Sequence, residues 1–224
     1  MTRVRRIDPQ RPSGAVLDDA ASVLQRGGIV AYLTDTVYGL AVDARLPQAI
    51  ASLYGLKGRP SDKAIPLIVG APGQLSGVAI ALSPCAEALM AAFWPGPLTL
   101  LLSPHPNLPA ALLGNTGRIG VRWPDSPLSQ GLALRVGGAI TASSANRSGA
   151  AAALSATEVE AQLAPDIDLI LDAGAARNPQ VSTVLDVTVE PPRLIRAGRI
   201  SRAAIDSVLG CGITKNRMEK GGKA

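Results

Sequence analysis

Short aliphatic runs alternate along this chain with stretches whose apolar residues recur every three or four positions. The run at 28–33 is apolar almost throughout, which suits a strand buried on both faces. Positions 47–54 begin a helix with Pro47 in its first turn, where the missing N–H loses no bond. Segments 65–69, 98–102, 118–123 and 139–142 predict further strands, and 127–135 and 156–163 predict helices. Ser83-Pro84 caps and opens another helix towards Phe93, which Pro95-Gly96-Pro97 ends. Strands at 168–171, 182–187 and 193–196 and a helix at 202–209 complete the pattern. This alternation predicts an α/β fold, a single domain with one open, twisted, mixed sheet flanked by helices. Polar clusters fall where strands end, the usual place for ligands in such sheets.

Composition narrows the picture. The 224 residues are 47% hydrophobic but only 3% aromatic, so the core is built from aliphatic side chains. No apolar run approaches a membrane span, and the basic start is followed by Asp8-Pro9-Gln10-Arg11 where a signal peptide would be apolar. A soluble, cytoplasmic protein is expected. Cys85 and Cys211 form no CxxC pair, so neither a disulfide framework nor a zinc site is indicated. The net charge of +5 lies at the ends. Residues 1–11 carry Arg3, Arg5, Arg6 and Arg11 against Asp8, and residues 211–224 carry Lys215, Arg217, Lys220 and Lys223 against Glu219. Each end is net +3, which leaves the body at −1. The expected organisation is therefore a basic arm at 1–11, a domain at 12–210 and a polar, disordered tail at 211–224. Such ends could touch RNA weakly, or be no more than solvated charge.

Several chemistries are excluded. There is no Walker A loop, no GxGxxG after a strand and no GxSxG elbow. The only histidine, His105, sits between prolines without an evident carboxylate partner, so a histidine triad is not supported. What remains is a set of polar clusters. In Lys57-Gly58-Arg59-Pro60, an extended backbone would send both cations to one side. A helix ending at Lys57 with Gly58 as its cap fits the spacing equally well. Residues 118–123 alternate, with Arg118, Gly120 and Arg122 on one face, either towards a ligand or towards solvent. The loop Ser143-Ser144-Ala145-Asn146-Arg147-Ser148-Gly149 is dense in small polar groups and suits either a nest of anion donors or an ordinary turn. Thr34-Asp35-Thr36-Val37-Tyr38-Gly39-Leu40 is read as a similar polar loop, and Ser182-Thr183 and Arg196-Ala197-Gly198 close the set.

The order of these segments resembles the threonylcarbamoyl-AMP synthase (YrdC-like) family from about residue 12 to about residue 205. The matching text is residues 27–32 leading into 34–40, then 57–60, Trp94-Pro95-Gly96-Pro97-Leu98-Thr99, Gly120-Val121-Arg122 with Pro124-Asp125, Ser144-Ala145-Asn146 with Ser148-Gly149, Ser182-Thr183-Val184, and Arg196-Ala197-Gly198. The resemblance implies a deep, positively charged cavity and synthesis of threonylcarbamoyl-AMP from L-threonine, bicarbonate and ATP. A partner enzyme would transfer the product to tRNA next to the anticodon. By the same resemblance, Lys57, Lys63, Asn146 and Arg196 would hold ATP, with backbone near Arg118 and Ala142 and a further contact at Ser155. Thr34, Arg59, Arg122, Ser144 and Ser182 would hold threonine or its carbamate. Lys57 and Arg59 would be the catalytic cations, with the Lys57 cluster and the serine loop forming opposite walls. Mg²⁺ would accompany ATP rather than be ligated by protein side chains. The length matches the short, stand-alone form of the family.

The chain departs from the family pattern at Leu33 and Ala64, where proline is usual, and at Ala150–Ala153, where polar residues and proline are usual. Two competing functions remain: an RNA-binding, translation-associated protein that uses the basic ends, and a paralogue that binds nucleotide without turnover.

Overall fold

The computed structural model describes residues 1–176, 180–210 and 212–215. One sheet contains β1 (Arg3–Arg6), β2 (Val30–Leu33), β3 (Tyr38–Ala41), β9 (Ser143–Ser144) and β10 (Leu169–Asp172). Its order is β1-β10-β2-β3-β9. The run read as doubly buried, β2, lies at its centre, parallel to β10 and antiparallel to β3. Alternate residues serve two cores. Val30 and Tyr32 face helices α1 (Gly14–Gln25) and α4 (Pro127–Val136), while Ala31 faces the larger core around α2 (Pro47–Lys57). On α1, Leu17, Ala20, Ala21 and Leu24 repeat at helical spacing and pack with Leu128, Leu132 and Val136 of α4. Each leucine so buried contributes about 1.5–3 kcal/mol.

The second sheet contains β4 (Leu67–Ile68), β6 (Leu98–Pro104), β7 (Ile119–Arg122), β8 (Ile140–Thr141), β11 (Thr183–Asp186), β12 (Arg193–Arg196) and β13 (Thr214–Lys215), with β5 (Ala79–Ile80) attached to β6. The order is β13-β12-β11-β6-β7-β4-β8. Two sheets thus replace the single one expected. Strands β8 and β9 are separated only by Ala142, yet they belong to different sheets. Thr141 joins the sheets: its N–H donates to Val42 O (3.1 Å) and its hydroxyl to Leu40 O (3.0 Å). The partners of such two-residue strands are set by distant backbone groups, so hydrophobic periodicity does not reveal them.

Three further expectations change. Residues 3–6, assigned to an arm ahead of the domain, pair in register with β10 from Arg3–Leu169 to Arg6–Asp172. The segment 34–40 is a turn followed by a strand, because β3 completes a hairpin with β2. In the C-terminal segment, Ile213 is buried and Thr214–Lys215 pair with β12, whereas Cys211 and residues 216–224 lie outside the described residues.

Helix ends follow local chemistry. Ser83 accepts from Ala86 N at the start of α3 (Pro84–Phe93) and Ser126 from Ser129 N at α4. Ser155 accepts from Glu158 N at α5 (Ala156–Leu163), and Ser201 from Ala204 N at α6 (Arg202–Leu209). Each such cap contributes about 1 kcal/mol. Among the described residues, no helix is long and apolar enough to cross a membrane.

Candidate active site

Where the two sheets meet, they enclose a cavity of about 530 Å³. From the first sheet it is lined by Thr34, Thr36 and Val37 of the β2–β3 turn, by Tyr38 and Gly39, and by Ser143 and Ser144. The second sheet supplies Leu67, Thr99, Leu101, Gly120, Arg122, Val184 and Arg196, with Val181 and Ser182 at the start of β11. Ala64, Pro66, Ala142, Ala152 and Leu154 complete the wall.

Strand periodicity explains the placement of Arg122. Within β7, Ile119 and Val121 enter the larger core, while Gly120 and Arg122 point the other way and line the cavity. Arg122 is therefore buried, not solvent-facing. Arg118 shares its face but stops short of the cavity. Its guanidinium lies 2.6 Å from the fully buried Asp186, which also meets Arg193 at 3.2 Å. The Arg118 side chain thus anchors β7 to β11.

Lys57 is the last residue of α2, and Gly58 adopts the left-handed conformation (φ 56°) that ends the helix. The extended backbone at 57–59 does not occur, and the cap geometry does. Yet Lys57 is only 3% exposed and its ammonium is fully engaged. It donates to Ser144 O, to Asn146 O (2.7 Å) and to Asn146 Oδ1 (3.3 Å). Ser148 N in turn donates to Lys57 O (2.7 Å). The two clusters expected on opposite walls are therefore clasped together behind one wall. Burial, and secondarily the charge of Arg59, lower the Lys57 pKa to about 8. Among the described residues no carboxylate pairs with it; three neutral oxygens hold it.

The serine loop also departs from expectation. Backbone N–H groups of Ala145, Asn146, Ser148 and Ala150 are already used, on Tyr38 O, Ser144 O, Lys57 O and Arg147 O respectively, so they form no open nest. Ser144 Oγ donates to Asn146 Oδ1 (2.5 Å), and Asn146 Nδ2 donates to Ala150 O (2.6 Å). Ser144 faces the cavity while Asn146 lies behind it.

Arg59 folds over the 60–64 turn, donating to Lys63 O (3.2 Å) and Ala64 O (2.8 Å), and so braces the wall at Ala64. The Lys63 side chain is exposed. Ser155 uses its hydroxyl as the cap of α5. Arg196, an exposed residue on the rim, brings its guanidinium onto Ser182, donating to the backbone oxygen (3.0 Å) and to Oγ (2.9 Å). Burial of that end, and then the charge of Arg122, lower its pKa. Ser182 Oγ also meets Thr99 Oγ1 at 3.0 Å. Gly198 makes this corner possible, because a Cβ there would lie 2.4 Å from Ser182 C and Thr183 N.

Of the residues predicted for the site, Thr34, Arg122, Ala142, Ser144, Ser182 and Arg196 line the cavity. Lys57, Arg59 and Asn146 support its wall, and Lys63, Arg118 and Ser155 do not line it. Asp35, Thr36 and Thr99 join the site although the sequence pattern assigns them no role. Their signal was present in the segments 34–40 and 94–99, whose wording matched the family without assigning each residue a role. Asp35 packs behind Arg122, with Oδ1 3.2 Å from Nη2. Burial raises its pKa, and Arg122 opposes the rise.

The Sua5/YciO/YrdC family model, described as "Telomere recombination", matches residues 22–198. The chain belongs to this family. It is 38% identical over 180 residues to the threonylcarbamoyl-AMP synthase of Alkalilimnicola ehrlichii, covering 79% of this chain and 93% of that one. Among solved structures, Pyrococcus abyssi Sua5 complexed with L-threonine superposes with a TM-score of 0.91 at 32% identity. That match covers all of this chain, which spans 65% of the P. abyssi chain. Escherichia coli YciO superposes with a TM-score of 0.83 at 25% identity, over 92% of this chain and all of YciO. The chain is thus a homologue of threonylcarbamoyl-AMP synthases, which are nucleotidyltransferases, on an α/β fold of mixed open sheets.

Proposed function

We propose that the cavity between the sheets makes threonylcarbamoyl-AMP from L-threonine, bicarbonate and ATP. The observation that carries this reading is the pairing of Arg122, buried in the wall, with Arg196 on the rim of the same cavity, beside the hydroxyls of Thr34, Thr36, Thr99, Ser144 and Ser182. Guanidinium forks bind carboxylates and phosphates in the plane, and hydroxyls supply the remaining donors and acceptors. Arg122, Thr34, Ser144 and Ser182 take threonine and its carbamate. Arg196, with the Lys57–Asn146 clasp behind the wall, serves the nucleotide side.

The chemistry requires no histidine. The amine of threonine and bicarbonate give a carbamate and water. A carbamate oxygen then attacks the α-phosphorus of ATP, and the bond to pyrophosphate breaks. The protein brings two anions together, screens their repulsion and stabilises the charge that develops on the leaving group. Among the described residues, no group of three His, Cys, Asp or Glu side chains is placed to hold a metal. Among the described residues, the polar groups of the cavity lining are hydroxyls and guanidiniums, with no carboxylate. In this reading Mg²⁺ enters with ATP, as part of the nucleotide substrate. The product goes to a partner enzyme that transfers the threonylcarbamoyl group to tRNA.

The test is pyrophosphate release with ATP, bicarbonate and each amino acid in turn. Release that requires both threonine and bicarbonate is expected; release independent of threonine would overturn the proposal. Nucleotide binding without any release would favour the non-catalytic paralogue.

A further inference from the structure

Asp35 is the one residue of the 34–36 turn that does not line the cavity. Its carboxylate lies behind the wall, and its side chain and that of Arg122 are each 7% exposed. The 3.2 Å separation makes an ion pair without a hydrogen bond between the two side chains. Neither oxygen of Asp35 accepts a hydrogen bond from another described residue, and the backbone N–H of Asp35 itself is the one nearby donor that eases the buried charge. Buried carboxylates ordinarily fill their lone pairs, so two orphaned oxygens require an explanation. Arg122 is similarly underused: among the described residues, its only side-chain partner is Asp35. A guanidinium carries five N–H donors in a rigid fork, and this one has its hydrogen-bonding capacity unspent and a side open to the cavity.

We propose that Asp35 is a positioning residue of the carboxylate subsite, acting through Arg122 as its resident counter-ion until a substrate carboxylate takes over the fork. The proposal rests on Arg122 being the threonine-carboxylate site. A buried guanidinium with no counter-charge is costly. Asp35 offsets that charge before substrate binds, without occupying the N–H groups that a planar carboxylate needs. Once the substrate carboxylate engages Arg122, Asp35 is a second negative charge beside it and weakens the binding that Arg122 supplies. Stability and affinity are thus traded at one side chain.

The trade has a signature that a merely structural residue lacks. Asp35→Asn removes the charge and keeps the shape, so the folded protein should melt at a lower temperature while L-threonine binds more tightly, by roughly fivefold or more. Calorimetric titration with L-threonine and thermal melts of the same samples measure both. Unchanged or weaker threonine binding in Asp35→Asn overturns the proposal. Arg122→Gln separates this from the underlying assignment. Loss of threonine binding in Arg122→Gln with no gain in Asp35→Asn sinks only the role of Asp35. Wild-type binding in Arg122→Gln sinks the carboxylate subsite itself.

Wild-type protein provides the measurement if Asp35→Asn does not fold. The charged and titratable groups around Asp35 are Arg122 on β7, Asp125 beyond it, Arg199 after β12 and the buried phenol of Tyr32 on β2. Burial raises the pKa of the Tyr32 phenol, so it stays neutral through the acid range. Protonation of Asp35 should tighten threonine binding as pH falls while the amino-acid carboxylate remains ionised, and the same tightening should persist in Asp125→Asn, which removes the other nearby carboxylate. Affinity that stays flat or falls over that range contradicts the proposal.

Discussion

Lys57 Nζ donates to both the backbone oxygen (2.7 Å) and the side-chain oxygen (3.3 Å) of Asn146. A helix C-terminus and a strand-end loop 89 residues apart in sequence are thereby locked together behind the cavity wall. Lys57→Met keeps much of the stem and removes the donors. The oxygens left unpaired cost about 1–3 kcal/mol each, partly offset by removing a buried charge. Turnover should fall by roughly a hundredfold as Ser144 loses its position. Urea denaturation and pyrophosphate release on the same variant measure the two effects.

The pH response of Lys57 has opposite signs for stability and activity. Its folded-state pKa of about 8 lies below the ordinary lysine value of 10.5. Between those values the unfolded chain binds more protons than the folded one, so this group's contribution to stability rises with pH across that window. It is fully present above the unfolded value and lost as pH falls through about 8. Activity should instead decline above pH about 8, because a neutral amine has too few N–H bonds for three acceptors. Denaturant melts and turnover between pH about 7 and 10 test the pair, and both trends should vanish in Lys57→Met.

Thr99 and Arg196 converge on the Ser182 hydroxyl at 3.0 and 2.9 Å. Thr99→Val keeps the shape but removes one of the two contacts. A single hydrogen bond contributes about 1 kcal/mol, so KM for threonine should rise about fivefold. Thr99→Ser should restore it to within about twofold. Steady-state kinetics on both variants decide whether the hydroxyl matters or only the volume.

At Gly198, backbone atoms of residues 181–183 fill the space a side chain would need, the nearest 2.4 Å from an added Cβ. Gly198→Ala must displace the corner that carries Arg196. We expect a loss of about 1–3 kcal/mol in thermal or urea melts. Turnover should drop about tenfold, because a small misplacement of a binding group is amplified in rate.

Removing residues 1–11 tests whether the basic start is an arm or part of the sheet. Arg3 N donates to Asp168 O (3.0 Å), Ile7 N donates to Asp172 O (2.9 Å), and Ile7 is buried. The truncated protein should lose about 2–4 kcal/mol of stability as β10 becomes an open edge. Threonine-dependent turnover should persist, since β1 contributes nothing to the cavity lining. RNA binding that disappears on truncation while turnover remains would mark the arginines as accessory.

Much of this fold was legible because its signals are local. Pro47, Pro84 and Pro127 start helices, serines at 83, 126, 155 and 201 cap them, and the aliphatic runs of β2 and β6 and the alternation of β7 mark the buried strands. Helix α1 carries a local signal too, since its buried residues 17, 20, 21 and 24 repeat at helical spacing, although the expected elements do not include it. Strand β1 had no such signal: all four of its residues are exposed, and its order comes from backbone pairing with β10. Strand β3 hid inside a polar-looking segment because it has four residues, one of them Gly39.

The amino-acid sequence by itself determined the element types, the aliphatic core and the inventory of cations and hydroxyls, because periodicity and capping depend on neighbours a few residues away. It also determined that Arg122 and Gly120 share a face of β7. Only the tertiary structure decided that Lys57 turns towards Ser144 and Asn146, that Arg118 is spent on Asp186, and that Asp35 stands behind Arg122. Those outcomes depend on which distant strands pair at Ala142 and where two sheets meet. Long-range backbone hydrogen bonds and burial set both, and no local pattern encodes them.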